Sequence, residues 1–201
     1  MPRREMKFEV GHFYHIYNRG KDKKSIFFYE RDYLHFLELW QKYLSSYSLS
    51  VIAYCLMPNH FHILLRIYAE SDVSRFMSIV LNSYAKWLNT KYNRSGPLFS
   101  ERFKAVHVDD PNFLLHLCRY IHLNPFTAKL VRRIELWRYS NYLEFIDKRN
   151  GRLFDKTFRD ELYGSALEYR LFVEDFSVQW PRGFRKMFLD EEAIPGSQRK
   201  I

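Results

Sequence analysis

The stretch Pro58-Asn59-His60-Phe61-His62-Ile63-Leu64-Leu65 combines a turn with the start of an apolar strand. Proline and asparagine favour a turn, and the aromatic and β-branched residues that follow favour an extended chain. Alternate side chains of a strand share a face, so His60 and His62 are predicted to point the same way. Phe61 and Ile63 then point into a core. Two such imidazoles can hold one divalent metal above a sheet, although a His-x-His pair by itself is more often a surface or hydrogen-bonded pair.

The flanking sequence predicts the order strand, helix, strand, strand, helix, strand, helix. The expected elements are a strand over 12–20, a helix from Asp32, strands over 50–56 and 60–67, a helix from Ser71-Asp72, a strand over 103–108 and a helix over 111–124. Asp110 and Pro111 predict a capped start for the third helix, and Pro125 is expected to end it. The first six elements predict an α+β fold with a ferredoxin-like (split β-α-β) antiparallel sheet and helices on one face. The third helix is additional.

Chain length and regularity predict one domain over residues 8–145. Residues 146–201 lose this regularity and are rich in aromatic and charged side chains, so we expect a C-terminal extension of unknown role.

Composition favours a polyanionic partner. The 201 residues carry a formal net charge of +9, which favours nucleic acid before an acidic membrane surface. The 15 tyrosines and 18 phenylalanines suit stacking on unpaired bases, although most must be core. Cys55 and Cys118 stand among apolar neighbours, which indicates buried thiols in a reducing compartment. Because no signal peptide and no apolar run of ~18 residues is found, we expect a cytoplasmic protein with no membrane partner.

The third predicted helix carries a polar stripe. His116, Tyr120 and Asn124 are spaced i, i+4, i+8 on an otherwise apolar helix. Tyr120 could act beside a metal held by the strand histidines, and the amide oxygen of Asn124 could be a third ligand. That donor set suits Mg²⁺ or Mn²⁺ better than a closed zinc site. Other tyrosines compete for this role, although Tyr84 falls on the apolar stripe of the second helix and Tyr92 near its end.

Four blocks of sequence resemble the REP-associated tyrosine transposases, relatives of the single-tyrosine HUH transposases. The first is Pro58-Asn59-His60-Phe61-His62, and the second is Gly-Pro-Leu-Phe-x-x-Arg-Phe-Lys over 96–104. The third joins Arg-Tyr-Ile-His-Leu-Asn-Pro over 119–125 to Ala-Lys-Leu-Val over 128–131. The fourth, Trp-Arg-Tyr-Ser-Asn-Tyr over 137–142, has Asn141 where the family usually has serine. The resemblance covers about residues 8–145.

The resemblance implies specific roles. His60 and His62 would be metal ligands, Tyr120 the nucleophile, and Asn124 the residue that completes the metal site. The implied function is a Mg²⁺- or Mn²⁺-dependent endonuclease and strand transferase on single-stranded DNA next to a hairpin. Cleavage would leave a 5′-phosphotyrosine link and a free 3′-OH. The resemblance favours a monomer, with a homodimer as the other possibility.

Basic residues near these motifs are candidates for contacts with DNA phosphates. They are Arg19, Lys21, Lys23, Lys24, Arg102 and Lys104. His116, one turn before Tyr120, is a candidate general base, and a structural role is the other interpretation. Two other functions stay open from the residues alone, a non-catalytic module that binds hairpin DNA or RNA and a structural-zinc protein.

Overall fold

The computed structural model describes residues 7–69 and 73–184. In this part of the chain the strands are β1 (Phe13–Arg19), β2 (Leu49–Met57), β3 (His60–Ile67) and β4 (Lys104–Val108). The helices are α1 (Glu30–Leu44), α2 (Val73–Lys91), α3 (Pro111–Thr127), α4 (Tyr142–Phe145), α5 (Lys156–Tyr163) and α6 (Ala166–Glu174), with 3₁₀ turns at Lys21–Lys23 and Ile134–Leu136. The strands pair antiparallel in the order β2-β3-β1-β4, which is the ferredoxin-like arrangement. The predicted α+β fold class is confirmed.

The sheet separates two hydrophobic cores. On one face, Phe61 and Ile63 pack with the buried sides of α1 and α2, as the alternation along β3 predicts. The apolar face predicted for α2 is buried throughout: Val73, Phe76, Met77, Val80, Leu81, Tyr84 and Leu88. On the other face, Leu64 lies in a second core with α3 and residues of the C-terminal helices. The additional helix therefore covers the face on which the strand histidines stand.

The start of α3 follows its sequence signals. The side chain of Asp110 accepts a hydrogen bond from the amide of Asn112 at 2.8 Å, and proline occupies the first helical position. The predicted start of the second helix at Ser71-Asp72 lies outside the described residues. Cys55 and Cys118 are buried, as predicted. In the described part of the chain, no helix combines the length and apolar character needed to cross a membrane.

The predicted end of α3 is wrong by less than one turn. The helix runs through Pro125 to Thr127. Proline removes its own N–H from the helix ladder and crowds the carbonyl four residues before it, and so near the helix end these costs do not stop the last turn. The amides of Ala128 and Leu130 still donate to the carbonyls of Asn124 and Pro125 at 2.9 Å, which satisfies the helix end.

Residues beyond 145 pack onto α3. The hydroxyl of Tyr163 donates to the carbonyl of Leu115 at 2.8 Å. The guanidinium of Arg119 donates to the carbonyls of Asp175 and Val178 at 2.7 and 3.3 Å. Five buried side chains of this part share the core of α3: Ile146, Phe158, Tyr169, Val173 and Phe184. The division into a domain and an extension at residue 145 stays a prediction, and the two parts meet in one core.

Candidate active site

His60 and His62 lie near the Pro58-Asn59 end of the sheet. Their ring centroids are 5.0 Å apart, with the ring planes nearly perpendicular. In the register of β1 and β3, Arg19 lies opposite His60 and Tyr17 opposite His62. Because β1 is the neighbour of β3, side chains of β1 also lie at the site of the two histidines.

Tyr120, on α3, packs against this face of the sheet. Its ring centroid lies 5.4 Å from that of His62 in an edge-on arrangement. The tyrosine is 1% exposed, and the rings of Trp180 and Phe184 from the C-terminal part lie 6.4 and 6.3 Å from it. The strand motif and the helix motif, distant in sequence, meet in the folded chain.

His15 supports His62 from β1. Nε2 of His15 and Nδ1 of His62 are 3.0 Å apart, and both side chains are buried. Nε2 of His62 is also buried and has no hydrogen-bond partner within residues 7–69 and 73–184. Leaving a buried polar atom without a partner costs on the order of 1–3 kcal/mol, so the arrangement favours a ligand at this nitrogen.

The lowered pKa values of His15 and His62 indicate that both imidazoles are neutral at physiological pH. Burial lowers the pKa of His15 to about 3. Burial also lowers the pKa of His62 well below its ordinary value, and repulsion from Arg19 and from the protonated forms of His60 and His15 adds to that effect. Because a metal binds the neutral imidazole, these pKa shifts keep His62 ready for coordination without a proton to displace.

The described residues do not form a closed metal site of their own. Among them, no group of three His, Cys, Asp or Glu side chains is placed to hold an ion. An ion bound by His60 and His62 would need further ligands, such as an amide oxygen, water or phosphate oxygens. Such oxygen-rich coordination with exchangeable positions suits Mg²⁺ or Mn²⁺.

Asn124 follows Tyr120 by one helical turn and is buried. Its Nδ2 donates to the backbone carbonyl of Tyr120 at 2.9 Å, so the amide oxygen is the atom left for coordination. Asn124 is not among the described residues that line the neighbouring cavity. Its role as a third ligand stays a prediction.

A cavity of about 430 Å³ opens beside His60, His62 and Tyr120. Four of the six predicted DNA-contacting residues line it: Arg19, Lys23, Arg102 and Lys104. The remaining two, Lys21 and Lys24, are exposed on the turn after β1 and are not among the described lining residues. The cavity therefore gathers most of the candidate phosphate-binding groups beside the candidate nucleophile.

Acidic residues also reach this cavity, although sequence analysis did not select them. Asp22 and Glu101 contribute to its wall. The backbone carbonyl of Glu101 accepts a hydrogen bond from the side-chain amide of Asn18 at 3.2 Å, which joins the segment of Glu101 to β1. No motif marked either carboxylate, because single acids in turns are common and usually solvated.

The turn after β1 is fixed against the 96–104 block. Gly20 pairs with Phe99, and the amide of Lys21 donates to the carbonyl of Leu98 at 2.9 Å. A Cβ on Gly20 would lie 2.1 Å from the carbonyl oxygen of Lys24, so only glycine fits this close approach. This packing holds two basic segments on one cavity.

His116 lies one turn before Tyr120 on α3 and contacts the C-terminal part. It packs against Phe172 and Trp180, with ring centroids 5.2 and 5.8 Å away, and is not one of the described lining residues. Burial lowers the pKa of His116, and the charge of Arg119 lowers it further. These contacts favour the structural interpretation of His116 over the general base.

His15 and Tyr17 were the main omissions of the sequence analysis. Both line the cavity, and their rings lie 5.0 Å apart. The signal was present, because residues 15, 17 and 19 alternate along the first strand as 60 and 62 do along the third. Recognising it also required knowing that these two strands are neighbours.

The chain matches the family model described as "Transposase IS200 like" over residues 10–124. No curated protein matches the chain. Its fold is similar to the solved structure of a REP-associated tyrosine transposase bound to a REP hairpin, with a TM-score of 0.62 and 15% identity over 77% of this chain and 94% of that one. A candidate transposase from Deinococcus radiodurans R1 gives a TM-score of 0.42 and 15% identity, over 59% of this chain and 95% of that one. Because the family model covers more than half of the chain, the protein belongs to the IS200-like transposase family, as the resemblance of its sequence blocks predicted.

Proposed function

We propose that the protein is a metal-dependent endonuclease and strand transferase that acts on single-stranded DNA next to a hairpin. The observation that carries this proposal is the meeting of Tyr120 with His62 beside a basic cavity. The REP hairpin bound to the structurally similar transposase supports the choice of substrate. We further propose that the protein acts as a monomer in the cytoplasm.

Tyr120 supplies the attacking oxygen. Its hydroxyl loses a proton and bonds to phosphorus, the bond from phosphorus to the 3′ oxygen breaks, and that oxygen takes up a proton. The products are a 5′-phosphotyrosine link and a free 3′-OH. Because the new ester keeps the energy of the phosphodiester, the 3′-OH of the same or another strand can reverse the step. Cutting and joining then use one site.

The other residues prepare the phosphate for attack. His60 and His62, with Asn124 as the proposed third ligand, would hold a Mg²⁺ or Mn²⁺ ion that polarises a non-bridging oxygen. Cavity cations, such as Lys23 and Arg102, neutralise neighbouring phosphates and set the register of the strand. A free tyrosine hydroxyl has a pKa of about 10, so it is mostly protonated at neutral pH. Nearby positive charges favour its deprotonated, nucleophilic form.

One observation favours a second candidate, a non-catalytic module that binds hairpin DNA or RNA. Tyr120 is 1% exposed, with Trp180 and Phe184 packed near its ring. Cleavage requires a phosphate to reach the tyrosine hydroxyl, whereas binding alone does not.

A covalent-adduct assay separates the two candidates. The protein is incubated with hairpin-flanked single-stranded DNA and Mg²⁺ or Mn²⁺, and denaturing gels are read for protein bound to DNA. We expect an adduct with the unmodified protein and none with Tyr120→Phe. The control Tyr68→Phe, after the far end of β3, removes an exposed hydroxyl that donates to Asp155, and should keep the adduct. DNA binding without any adduct in either metal would contradict the enzyme and favour the binding module.

A further inference from the structure

An exposed aromatic cluster lies where α1 begins and α2 ends. We call it the aromatic platform and define it as Phe28, Tyr29 and Tyr92. The rings of Phe28 and Tyr29 lie 5.0 and 6.3 Å from that of Tyr92. Phe28 is 44% exposed and Tyr29 is 69% exposed, the highest value among the large apolar side chains in the described part of the chain. Exposed rings that adjoin one another form a candidate binding surface, whereas singly exposed apolar side chains are common.

Cations and a buried carboxylate frame the aromatic platform. The guanidinium of Arg94 lies 5.5 Å from the ring centroid of Phe28, and the ammonium of Lys91 lies 4.9 Å from that of Tyr92. Lys91 also pairs with the buried carboxylate of Asp32 at 2.7 Å, and the hydroxyl of Tyr92 donates to the same group. This network fixes the platform from below, while the two exposed rings stay open to solvent.

A short segment of chain connects the cavity to the aromatic platform. Lys23 lines the cavity, and Phe28 follows it five residues later, a span of at most about 17 Å even for an extended chain. The exposed side chains of Lys21 and Lys24 belong to the same short segment. A second segment leads from Arg94, beside Phe28, to Arg102 and Lys104 in the cavity wall. Both connecting segments therefore carry basic residues.

We propose that the aromatic platform stacks unpaired bases of the single strand that continues out of the cavity. The proposal rests on the proposed function, because that function places a single strand at the cavity. Aromatic faces stack on bases of any sequence, and neighbouring cations attract the phosphates between them. The net charge of +9 and the flanking lysines favour a polyanion over an apolar protein partner. In this arrangement Lys21 and Lys24, which lie outside the cavity wall, would contact phosphates between the cavity and the platform.

The test compares two strands of equal charge that differ in their bases. Fluorescence anisotropy measures binding of an oligothymidylate of about 12 nucleotides and of an abasic strand of the same length, a typical site size for such surfaces. Tyr29→Ala is compared with Tyr68→Ala. Tyr68 is 48% exposed and has the guanidinium of Arg66 4.9 Å from its ring, but it follows β3 at the opposite end of the sheet.

We expect Tyr29→Ala to weaken binding of the oligothymidylate by about 5-fold or more and to leave the abasic strand unchanged. Tyr29→Phe should bind as the unmodified protein does, since it keeps the ring. Tyr68→Ala should change neither affinity. Equal losses on both strands, no loss with Tyr29→Ala, or no preference of the unmodified protein for bases would each overturn the platform.

The covalent-adduct assay is scored separately on the same variants. Absence of an adduct with the unmodified protein contradicts the proposed cleavage reaction. The base-dependent loss of affinity still decides whether the platform stacks bases.

Discussion

His62 is the residue around which the candidate site is organised. If its Nε2 binds the metal, its proton must be on Nδ1, which then donates to Nε2 of His15. His15 thereby fixes the tautomer and the ring orientation of His62 without touching the substrate. It is a positioning residue rather than a catalytic one.

The role of His15 predicts a loss of metal affinity. His15→Leu removes the acceptor for His62 and should weaken Mn²⁺ binding by about 10- to 100-fold, as measured by calorimetric titration in the absence of DNA. His15→Gln keeps an acceptor oxygen near the position of Nε2 and should restore most of the affinity. Equal affinity for Mn²⁺ in the leucine variant and the unmodified protein would refute this role.

At the residue scale, sequence spacing could select the candidate motif residues, whose roles stay predictions, but not the side chains that contact them. His60, His62 and Tyr120 could be selected because spacing on one strand and one helix makes them share a face. His15 could not be assigned, because alternation along a strand does not reveal which strand lies beside it. Asp22 and Glu101 carried no pattern at all.

At the scale of elements, α3 connects the sheet to the C-terminal part. Tyr120 faces β3. The guanidinium of Arg119 donates to backbone carbonyls of residues after α6, and it lies 4.9 Å from the ring centroid of Trp180. His122 points to a third partner. Its Nε2 donates to the side-chain oxygen of Asn141 at 2.8 Å, and its Nδ1 accepts from the hydroxyl of Tyr169.

Asn141 is the junction of β2 and α3. It accepts from the amide of Tyr54 at 2.7 Å and donates to the carbonyl of Ile52 at 2.8 Å, beside an irregularity in the pairing of β2 with β3. Serine, usual at this place in the resembling family, is too short to make these bonds together with the one to His122. Asn141→Ala should therefore lower the free energy of unfolding by about 3 kcal/mol or more, because it leaves several buried groups without partners.

Urea denaturation measures this change, with Asn82→Ala as the matched control. Among the described residues, the side-chain amide of Asn82 donates only to the hydroxyl of Ser78 on an exposed helix face, so its loss should change stability by less than about 0.5 kcal/mol. Similar small effects in both variants would show that the buried junction is not a source of stability.

The elements themselves were largely predictable. Periodicity identified α2 and its buried face, since a long amphipathic helix repeats its pattern over several turns. The end of α3 was missed because a proline in the last turn costs one hydrogen bond, which the following turn compensates.

At the scale of the molecule, the C-terminal part completes the core around the tyrosine helix. Its two described helices are short, with eight residues in α5 and nine in α6. Helices of that length have too few turns to show a clear hydrophobic periodicity. Their aromatic residues pack against α3 as well as against one another. The sequence therefore did not reveal where residues 146–184 would pack.

The buried histidines make the stability of the whole molecule depend on pH. Burial is the main reason that the pKa of His122 falls from 6.5 to about 4. Between these values the unfolded chain binds a proton and the folded chain does not, so stability should decrease as the pH falls from 6.5 towards 4. This residue alone can account for at most about 3 kcal/mol. His15 and His62, with lowered pKa values, act in the same direction.

Unfolding in urea between pH 7 and pH 5 tests this dependence. His122→Gln keeps a donor for Asn141 but cannot titrate, so its stability should fall less steeply with acid, by up to about 1.4 kcal/mol per pH unit near pH 5. The same slope in the glutamine variant and the unmodified protein would contradict the assignment of the proton to His122.

In the proposed reaction, Tyr120 links covalently to DNA beside the strand histidines. Mass spectrometry of the digested protein–DNA adduct measures this directly, because it identifies the peptide that carries the nucleotide. We expect the nucleotide on Tyr120 and no adduct after His60→Ala or His62→Ala, with DNA binding retained. A nucleotide attached to any other tyrosine, or an adduct that forms without either histidine, would contradict the account.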